Sequence, residues 1–420
     1  MKKCLLLIIS LVLLMGAEAQ MKKKSPEEAI RFLADHTLAE VDYALMNFAT
    51  GEVYSESNKL PLSENIKVKN KLTDWHYENG VMNMAMLHLG NVLNEDKYTN
   101  FVKHNYTFVN EHYDYFKKQF EDSSIMKPSF RQLYAFKYLD NCGTMGAALL
   151  QMMNEENLDN EKWSAIIEKT ADYIMNDEFR LDDGTLSREY PRKGAVWADD
   201  LYMSVAFLAR MGHYSKESKY FDFAITQVLN YTHYLRNEQL KVYNHAYFHH
   251  QKMTNGAYWG RANGWVMMAQ VELLSYLPDD HPQKDELVSV LTQFIQGVSH
   301  LQSQNGLWHQ LLNKEDSFLE SSCTAMFIYS IARAVNQGWI DSAFSQVAWK
   351  GWQGLYTNIT EDAQVKDICV GTHIEWNLPF YYNRPISVND THGLAATLMA
   401  GAEIVKMQTT YGPQIKPSNF

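Results

Sequence analysis

Two adjacent aspartates, Asp199 and Asp200, begin an otherwise apolar helical stretch in the sequence AVWADDLYMSVAFLARMG. An aspartate at this position is explained by helix capping, because its carboxylate accepts backbone N–H groups and suits the positive end of the helix dipole. A pair of aspartates allows a second interpretation, in which one carboxylate caps the helix or faces water while its neighbour points into a cavity and exchanges protons. This stretch alone favours capping.

Other regions also combine polar and aromatic side chains where a helical pattern begins. Their members are Asp140 and Asn141 in YLDNCGTMGAALL, His245 in YNHAYFHH, Trp259, Arg261, Asn263 and Trp265 in AYWGRANGWVMMA, and Trp308, His309, Gln310, Glu320 and Ser322 in NGLWHQLL and FLESSCTAMF. Taken singly, these residues are explained as caps, turn residues or core residues. Taken together, they have the composition of a sugar site, since aromatic faces stack on a pyranose and an arginine binds a uronate carboxylate through two hydrogen bonds. A second nearby carboxylate also raises a carboxyl pKa, which leaves a proton to donate.

The charge and the cysteine content of the chain restrict its partners. The formal net charge is −11 and no basic stripe offsets it, which argues against a nucleic-acid partner. Cys142, Cys323 and Cys369 are an odd number at wide spacing, which does not make a disulfide framework. The sequence has no CxxC or HExxH pattern, and the histidines of YNHAYFHH have no acidic or cysteine partner at metal-site spacing. We therefore expect neither a metal nor another cofactor.

The first residues, MKKCLLLIISLVLLMGAEAQ, have the pattern of an export signal: two lysines, an apolar run and a small-residue end. We expect cleavage after Ala19, which leaves residues 20–420 as the mature chain. Cys4 precedes the apolar run and so cannot be a lipid-acceptor cysteine. No later segment has the apolar length of a membrane span, and we expect an exported, periplasmic protein without a membrane anchor.

The hydrophobic periodicity is helical along most of the chain. Apolar residues recur at three- and four-residue spacing over residues 27–37, 78–93, 98–120, 131–139, 144–153, 161–175, 198–211, 219–234, 264–277, 284–300, 321–336, 340–356 and 393–407. No linker divides these segments, and no fixed-period repeat indicates a solenoid. The pattern predicts an all-α fold in one domain over residues 20–420, a toroid of helical hairpins whose central pocket suits a small polar ligand.

Four of these stretches together resemble a known enzyme family: VWADDLYMSVAFLARMG, YLDNCGTMGAALL, YWGRANGWVMMAQVELL and ESSCTAMFIYSIARAVNQGW. They are similar to the unsaturated rhamnogalacturonyl hydrolases of glycoside hydrolase family 105 and, more distantly, to the unsaturated glucuronyl hydrolases of family 88. The resemblance extends from about Trp75 to about Gly393. It implies an (α/α)6 barrel that acts on the 4,5-unsaturated uronic acid left at a nonreducing end by a polysaccharide lyase.

The reaction implied by the resemblance differs from ordinary glycoside hydrolysis, because it proceeds without a covalent intermediate. An aspartate protonates C4 of the enol ether and then helps water to add at C5. The resulting hemiketal opens and releases the neighbouring sugar. Position by position, the resemblance makes Asp199 the proton donor and Asp140 the second acidic residue, which contacts the sugar and keeps the proton on Asp199. Asp200 is turned by about 100° on a helix and need not face the pocket.

The same carry-over assigns the substrate-binding residues. Arg261 would bind the substrate carboxylate, and His245 matches the histidine that precedes the tryptophan–glycine–arginine motif. The aromatic residues expected to stack on the sugar or to shape the pocket are Trp259, Trp265, Trp197 and Tyr77.

The sequence leaves several alternatives open. Arg188, Arg192 and Lys193 in SREYPRKGAVW do not align one to one with family residues, and they either recognise the second sugar or are solvated. The expected substrate is an unsaturated galacturonyl rhamnogalacturonan oligosaccharide, and the alternative is another lyase-generated glycan with an unsaturated glucuronyl end. A noncatalytic sugar-binding toroid is a further alternative, whereas an isomerase is disfavoured because no ring of histidines is evident. The sequence does not indicate the oligomeric state.

Overall fold

The computed structural model describes residues 24–156 and 161–412 of the chain. The twelve longest helices in these ranges are α1 (Pro26–Glu40), α2 (Tyr77–Leu93), α3 (Asp96–Glu121), α4 (Gly143–Glu156), α5 (Glu161–Asp172), α6 (Asp200–Ser215), α7 (Ser218–Leu235), α8 (Gly260–Tyr276), α9 (Lys284–His300), α10 (Ser321–Asn336), α11 (Ser345–Tyr356) and α12 (Thr391–Tyr411). None of the helices described has both the length and the apolarity needed to cross a membrane. The expected export signal and its cleavage site lie outside the described residues.

The helices form a double ring. Helices α2, α4, α6, α8, α10 and α12 each pack on the next one in that order, and α12 packs back on α2 to close the inner ring. Each of the outer helices α3, α5, α7, α9 and α11 packs against the inner helix that precedes it in the chain, and α1 packs against α12. This arrangement is an (α/α)6 barrel, and the all-α fold expected from the sequence is confirmed. The first and last helices of the barrel form its sixth pair.

The inner helices are buried on nearly all sides, unlike the outer helices, which bury one face. In α8, for example, every residue from Gly260 to Leu274 is buried. Such close packing requires small residues where helices cross: a Cβ at Gly143 would lie 1.6 Å from the backbone oxygen of Met203 on α6. Glycine at the start of α4 therefore permits a close approach between α4 and α6.

Buried charges join the inner helices near their carboxyl ends. Arg210 on α6 contacts Glu272 on α8 at 2.8 Å, and Arg333 on α10 contacts Glu403 on α12 at 3.1 Å. His88 on α2 also lies 3.0 Å from Glu403. Burying an unpaired charge is costly, so each of these charges lies beside an opposite one. The pairs connect neighbouring inner helices toward their carboxyl-terminal ends.

Short antiparallel strands connect the helices at the opposite end. They are β1 (Leu45–Asn47), β2 (Val53–Tyr54) and β3 (Ile66–Val68), in the order β2-β1-β3; β4 (Ala195–Trp197), β5 (Ala246–Phe248) and β6 (Met253–Thr254), in the order β4-β5-β6; β7 (Trp308–His309) with β8 (Leu319–Glu320); and β9 (Ile368–Cys369) with β10 (Ile386–Ser387). Two further short helices cover Arg131–Tyr134 and Leu378–Tyr382.

Several predicted helix boundaries are wrong, and three of them show why. The helix expected over residues 131–139 ends at Tyr134, because the Asn141 side chain accepts the N–H groups of the residues at 137 and 138 that a helix would use. The helix expected from residue 340 begins at Ser345, after a 3-10 turn capped by Asp341. Helix α8 begins at Gly260, four residues before the predicted start, and therefore includes Arg261.

Candidate active site

A cleft with about 410 Å³ of empty space opens at the end of the barrel where the inner helices begin. The residues that line it are Tyr77, Asp140, Arg188, Trp197, Asp199, Met203, Trp259, Arg261, Trp265, Gly371, Thr372 and His392. Most of them stand at or just before the first turn of an inner helix. The positive ends of these helix dipoles therefore face the cleft and favour an anionic ligand.

Asp199 is brought to His245 by strand pairing. Strands β4 and β5 pair with Trp197 opposite Ala246, and the N–H of Ala198 donates to the His245 carbonyl at 2.9 Å. The next residue, Asp199, then has its Oδ2 atom 3.0 Å from Nε2 of His245. Asp199 occupies the cap position of α6, but its side chain makes no capping hydrogen bond. Its carboxylate is thus free of the role that this stretch of sequence favoured.

Burial and the neighbouring side chains shift the pKa of Asp199 in opposite directions. Burial raises the pKa of Asp199, but the His245 ring and the Arg188 guanidinium lower it by more. The net pKa therefore lies below the usual value. In the free protein Asp199 is therefore a carboxylate. Exclusion of water and the approach of a substrate carboxylate would both raise this pKa, because each disfavours the ionised form.

Arg188 forms ion pairs with Asp140 and Asp200. Its Nε and Nη2 atoms donate to Asp200 at 2.9 and 2.6 Å, and Nη2 also donates to Asp140 at 3.1 Å. The guanidinium lies 4.0 Å from the centre of the Trp197 ring. Burial raises the pKa of Asp200 above its usual value, because the Arg188 ion pair offsets only part of the desolvation. Asp200 thus lies behind the cleft, while Asp199 lines it.

Arg188 itself is 8% exposed, so the solvated alternative is wrong for this residue. The chain turns back after it, with the N–H of Arg188 donating to the Ala195 carbonyl and that of Gly194 donating to the Arg188 carbonyl, both at 2.9 Å. Gly194 has a φ of +75°, which glycine adopts readily. Arg192 and Lys193 lie exposed on this turn. The proline and glycine in SREYPRKGAVW were the signal of a turn that could have placed Arg188 beside β4.

Arg261 lies in the cleft without a carboxylate partner. Its Nη2 atom donates to the Val370 carbonyl at 2.8 Å, and Nη1 donates to the Cys369 carbonyl and to Ser322. Among the described residues, no carboxylate lies within 4.0 Å of this guanidinium, whereas Arg188 contacts two. Two carbonyl groups and the Ser322 hydroxyl hold Arg261 in place, and its guanidinium makes no direct ion pair. It is the group best suited to bind an anion in the cleft.

The aromatic residues expected in the site form a rigid wall. Trp265 stacks on Tyr202 with ring centres 4.9 Å apart, and Trp259 donates its indole N–H to Gln310 at 3.1 Å. Tyr77, at the start of α2, contacts Nε2 of His392 through its hydroxyl. These contacts fix each ring before a ligand arrives, which lowers the entropic cost of binding.

Several residues that were singled out in the sequence lie outside the cleft. His245 is fully buried behind Asp199 rather than on the wall. Glu320 caps α10 by accepting the N–H groups of Ser322 and Cys323 at 3.0 and 2.7 Å. Trp308 donates its indole N–H to the Val298 carbonyl at 2.8 Å and belongs to the core.

Sequence reasoning missed four of the lining residues: Met203, Gly371, Thr372 and His392. Nδ1 of His392 lies 2.5 Å from Asp390, which also caps α12. The pattern DTHG at the start of α12 was the available signal, because an aspartate two residues before a histidine can cap the helix and also orient the imidazole ring. Gly371 and Thr372 lie on an irregular loop that carries no motif.

This cleft, at the helix-start end of an (α/α)6 barrel, has the composition of a carbohydrate enzyme: carboxylates beside a histidine, an arginine without a direct ion pair, and aromatic walls. The family profile described as Glycosyl Hydrolase Family 88 matches residues 49–408. The chain therefore belongs to this family and is a glycoside hydrolase, which excludes the noncatalytic alternative.

Known relatives agree with this assignment. The chain is 27% identical to the unsaturated rhamnogalacturonyl hydrolase YesR of Bacillus subtilis over 242 residues, 56% of this chain and 69% of that protein. It is 28% identical to the unsaturated 3S-rhamnoglycuronyl hydrolase of an Alteromonas species over 218 residues, 50% of this chain and 51%, or about half, of that relative. The solved structure of a possible member of family GH105 from Salmonella enterica has the same fold, with a TM-score of 0.73 at 20% identity, covering 92% of this chain and 96% of that one. The resemblance to families 105 and 88 is confirmed.

Replacing Arg188 by methionine tests its role between the aspartates. The variant leaves Asp140 and Asp200 without their cation, and we expect the free energy of unfolding to fall by about 3 kcal/mol at pH 7. The deficit should shrink as the pH falls toward 5, because the pKa of Asp200 is already raised by burial and this carboxylate, without its cation, takes up a proton in the folded state. Urea unfolding at both pH values measures this. Arg192→Met, an exposed arginine on the same turn, is the matched control; equal effects of the two variants would contradict the assignment.

Proposed function

We propose that this hydrolase removes 4,5-unsaturated galacturonic acid from the nonreducing end of rhamnogalacturonan oligosaccharides produced by a lyase. The observation that carries the proposal is the presence of two features in one cleft: the carboxylate Asp199, 3.0 Å from His245, and the guanidinium of Arg261, which makes no direct ion pair. An unsaturated uronate has both a carboxylate for the arginine and an adjacent C4=C5 bond for the acid. The similarity to the unsaturated rhamnogalacturonyl hydrolase of Bacillus subtilis supports the choice of substrate.

The proposed reaction begins with the substrate carboxylate on Arg261 and the sugar ring against Trp259 and Trp265. Closing the cleft over this anion raises the pKa of Asp199, so that Asp199 holds a proton. The electron pair of the C4=C5 bond takes that proton at C4. Water then forms a bond to C5 and returns a proton to Asp199, which gives a hemiketal. The bond between C5 and the ring oxygen breaks, a 5-ketone forms, and the C1 hemiacetal releases the second sugar.

Asp140 is the second carboxylate of this reaction. Its side chain is 24% exposed, and Arg188 holds one of its oxygens at 3.1 Å. The other oxygen is available to a sugar hydroxyl. The negative charge of Asp140 also opposes ionisation of a neighbouring acid and so helps Asp199 to keep its proton before the transfer.

Asp199→Asn tests the proton donor. An asparagine has nearly the same shape but cannot donate to C4, and we expect kcat on unsaturated galacturonyl-rhamnose to fall at least about 100-fold. The decay of the ultraviolet absorbance of the C4=C5 uronate measures the rate, and calorimetric titration of the variant with the substrate should still detect binding. Asp222→Asn, on the exposed face of α7, is the control variant. A variant at position 199 with the wild-type rate would move the chemistry to Asp140 or Asp200.

Arg261→Gln tests recognition of the carboxylate. Loss of a charge-assisted hydrogen-bonded pair is expected to raise KM about 10- to 100-fold. The methyl ester of the same substrate lacks the carboxylate charge, and the wild type should bind it with a similarly raised KM. For this ester, the KM of Arg261→Gln should differ little from that of the wild type. Arg131→Gln, an exposed arginine away from the cleft, serves as the control. The assignment fails if acid and ester lose the same factor on substitution.

A second substrate class is favoured by one comparison, since the Alteromonas relative is named for 3S-rhamnoglycuronyl hydrolysis. An unsaturated glucuronyl end has the same carboxylate and C4=C5 bond, so the residues described above would act in the same way. The C4=C5 bond removes the C4 configuration that distinguishes the two uronates, so values of kcat/KM for disaccharides that differ only in the leaving sugar separate the two classes. The export expected from the first 19 residues would suit short oligosaccharides trimmed outside the cell.

A further inference from the structure

The two nitrogens of His245 have different partners. Nε2 lies 3.0 Å from Oδ2 of Asp199, while Nδ1 lies 2.8 Å from the hydroxyl oxygen of Tyr381. Trp197 and Trp259 pack against the ring, with centres 5.9 and 4.7 Å away. The histidine is fully buried, and so is Tyr381. Which nitrogen carries the hydrogen is therefore decided by protein groups rather than by water.

Two N–H groups already donate to the Tyr381 hydroxyl. These are Nδ2 of Asn255 at 2.9 Å and the backbone N–H of Glu375 at 3.1 Å. The amide of Asn255 cannot be turned the other way, because its Oδ1 atom accepts the N–H groups of Ala246 and Ala257 at 3.3 Å. A phenol oxygen accepts about two hydrogen bonds, so the hydroxyl must use its own hydrogen as a donor.

The Tyr381 hydroxyl has two possible acceptors. Nδ1 of His245 is 2.8 Å away, whereas the carbonyl oxygen of Glu375 is 3.4 Å away, at the limit of a hydrogen bond. The shorter contact makes Nδ1 the acceptor. A neutral histidine whose Nδ1 accepts a hydrogen bond carries its hydrogen on Nε2, which is the nitrogen that faces Asp199.

We propose that Tyr381 is a positioning residue that keeps His245 in the Nε2–H form, with Asn255 and the N–H of Glu375 fixing the direction of the hydrogen bonds. Nε2 with its hydrogen then lies on the side of the ring that faces Asp199; when a substrate tightens this contact, Nε2 donates to Oδ2 and Oδ1 is left to exchange the proton with C4 of the substrate. In the free protein the Nε2 and Oδ2 atoms lie close but not aligned as a hydrogen bond, and such contacts tighten when a substrate binds. The expected effect on catalysis rests on the proposed function, whereas the position of the hydrogen on His245 does not.

The tautomer is measured directly by nitrogen-15 NMR of protein labelled at histidine. The signals of His245 are identified by their loss in His245→Gln. In the wild type we expect a hydrogen-bearing Nε2 and a bare Nδ1. A hydrogen on Nδ1 would overturn the proposal, whatever the enzyme's substrate turns out to be, so that this arm remains decisive if no activity is found.

Tyr381→Phe tests the role of the hydroxyl. Without it, we expect the His245 signals to shift toward a mixture of tautomers and kcat to fall about 10- to 100-fold. KM should change little, because Tyr381 does not line the cleft. Tyr382→Phe is the matched control, since that neighbouring tyrosine points its hydroxyl to the exposed Asp316 at 2.8 Å. Unchanged signals and an unchanged kcat in Tyr381→Phe would overturn the proposal.

A second variant covers the case in which Tyr381→Phe does not fold. Asn255→Asp keeps the oxygen that accepts the two backbone N–H groups but replaces the donor by an acceptor. The phenol hydrogen should then turn toward residue 255, and the hydrogen of His245 should move to Nδ1. A His245 spectrum identical to that of the wild type would contradict the proposed chain of hydrogen bonds.

Discussion

Closure of the inner ring is the constraint on which the rest of the structure depends. Each inner helix is buried by two inner neighbours and one outer helix, and α12 completes the ring by packing on α2. Most of the residues that line the cleft belong to the starts of these helices, while the buried pairs Arg210–Glu272 and Arg333–Glu403 lie toward their ends. The ring therefore converts positions far apart in the sequence into one site, and it directs several helix dipoles toward that site.

The distribution of charge in the cleft follows from this geometry. Burial opposes every charge near the helix starts, so each must be paired or must await a ligand. Arg188 is neutralised by Asp140 and Asp200, and this pairing explains why one member of the adjacent aspartates lies behind the wall. Asp199 and Arg261 are the groups left for a substrate. Asp199 lies beside His245, and the hydrogen bonds of Arg261 go only to uncharged groups.

The sequence predicted the helices well, because their periodicity is a local property. The long segments from Tyr77 to Leu93 and from Lys284 to His300 are clear in the apolar spacing alone. The choice between Asp199 and Asp200 required a family resemblance, since both residues occupy the same first turn. The ion pairs of Arg188 and the role of Tyr381 were not predicted, because a turn and a short helix position these residues and their partners Asp200 and His245 lie 12 and 136 residues away in the chain. Contacts of that kind depend on the closed ring and leave no local pattern.

The central claim is that the C4=C5 bond, and not the glycosidic bond, is attacked first. A single-turnover experiment with excess enzyme and unsaturated galacturonyl-rhamnose, sampled for both ultraviolet absorbance and free rhamnose, tests it most directly. The account predicts that absorbance is lost before or together with the release of rhamnose. Release of rhamnose while the absorbance persists would mean ordinary hydrolysis at C1 and would contradict the account.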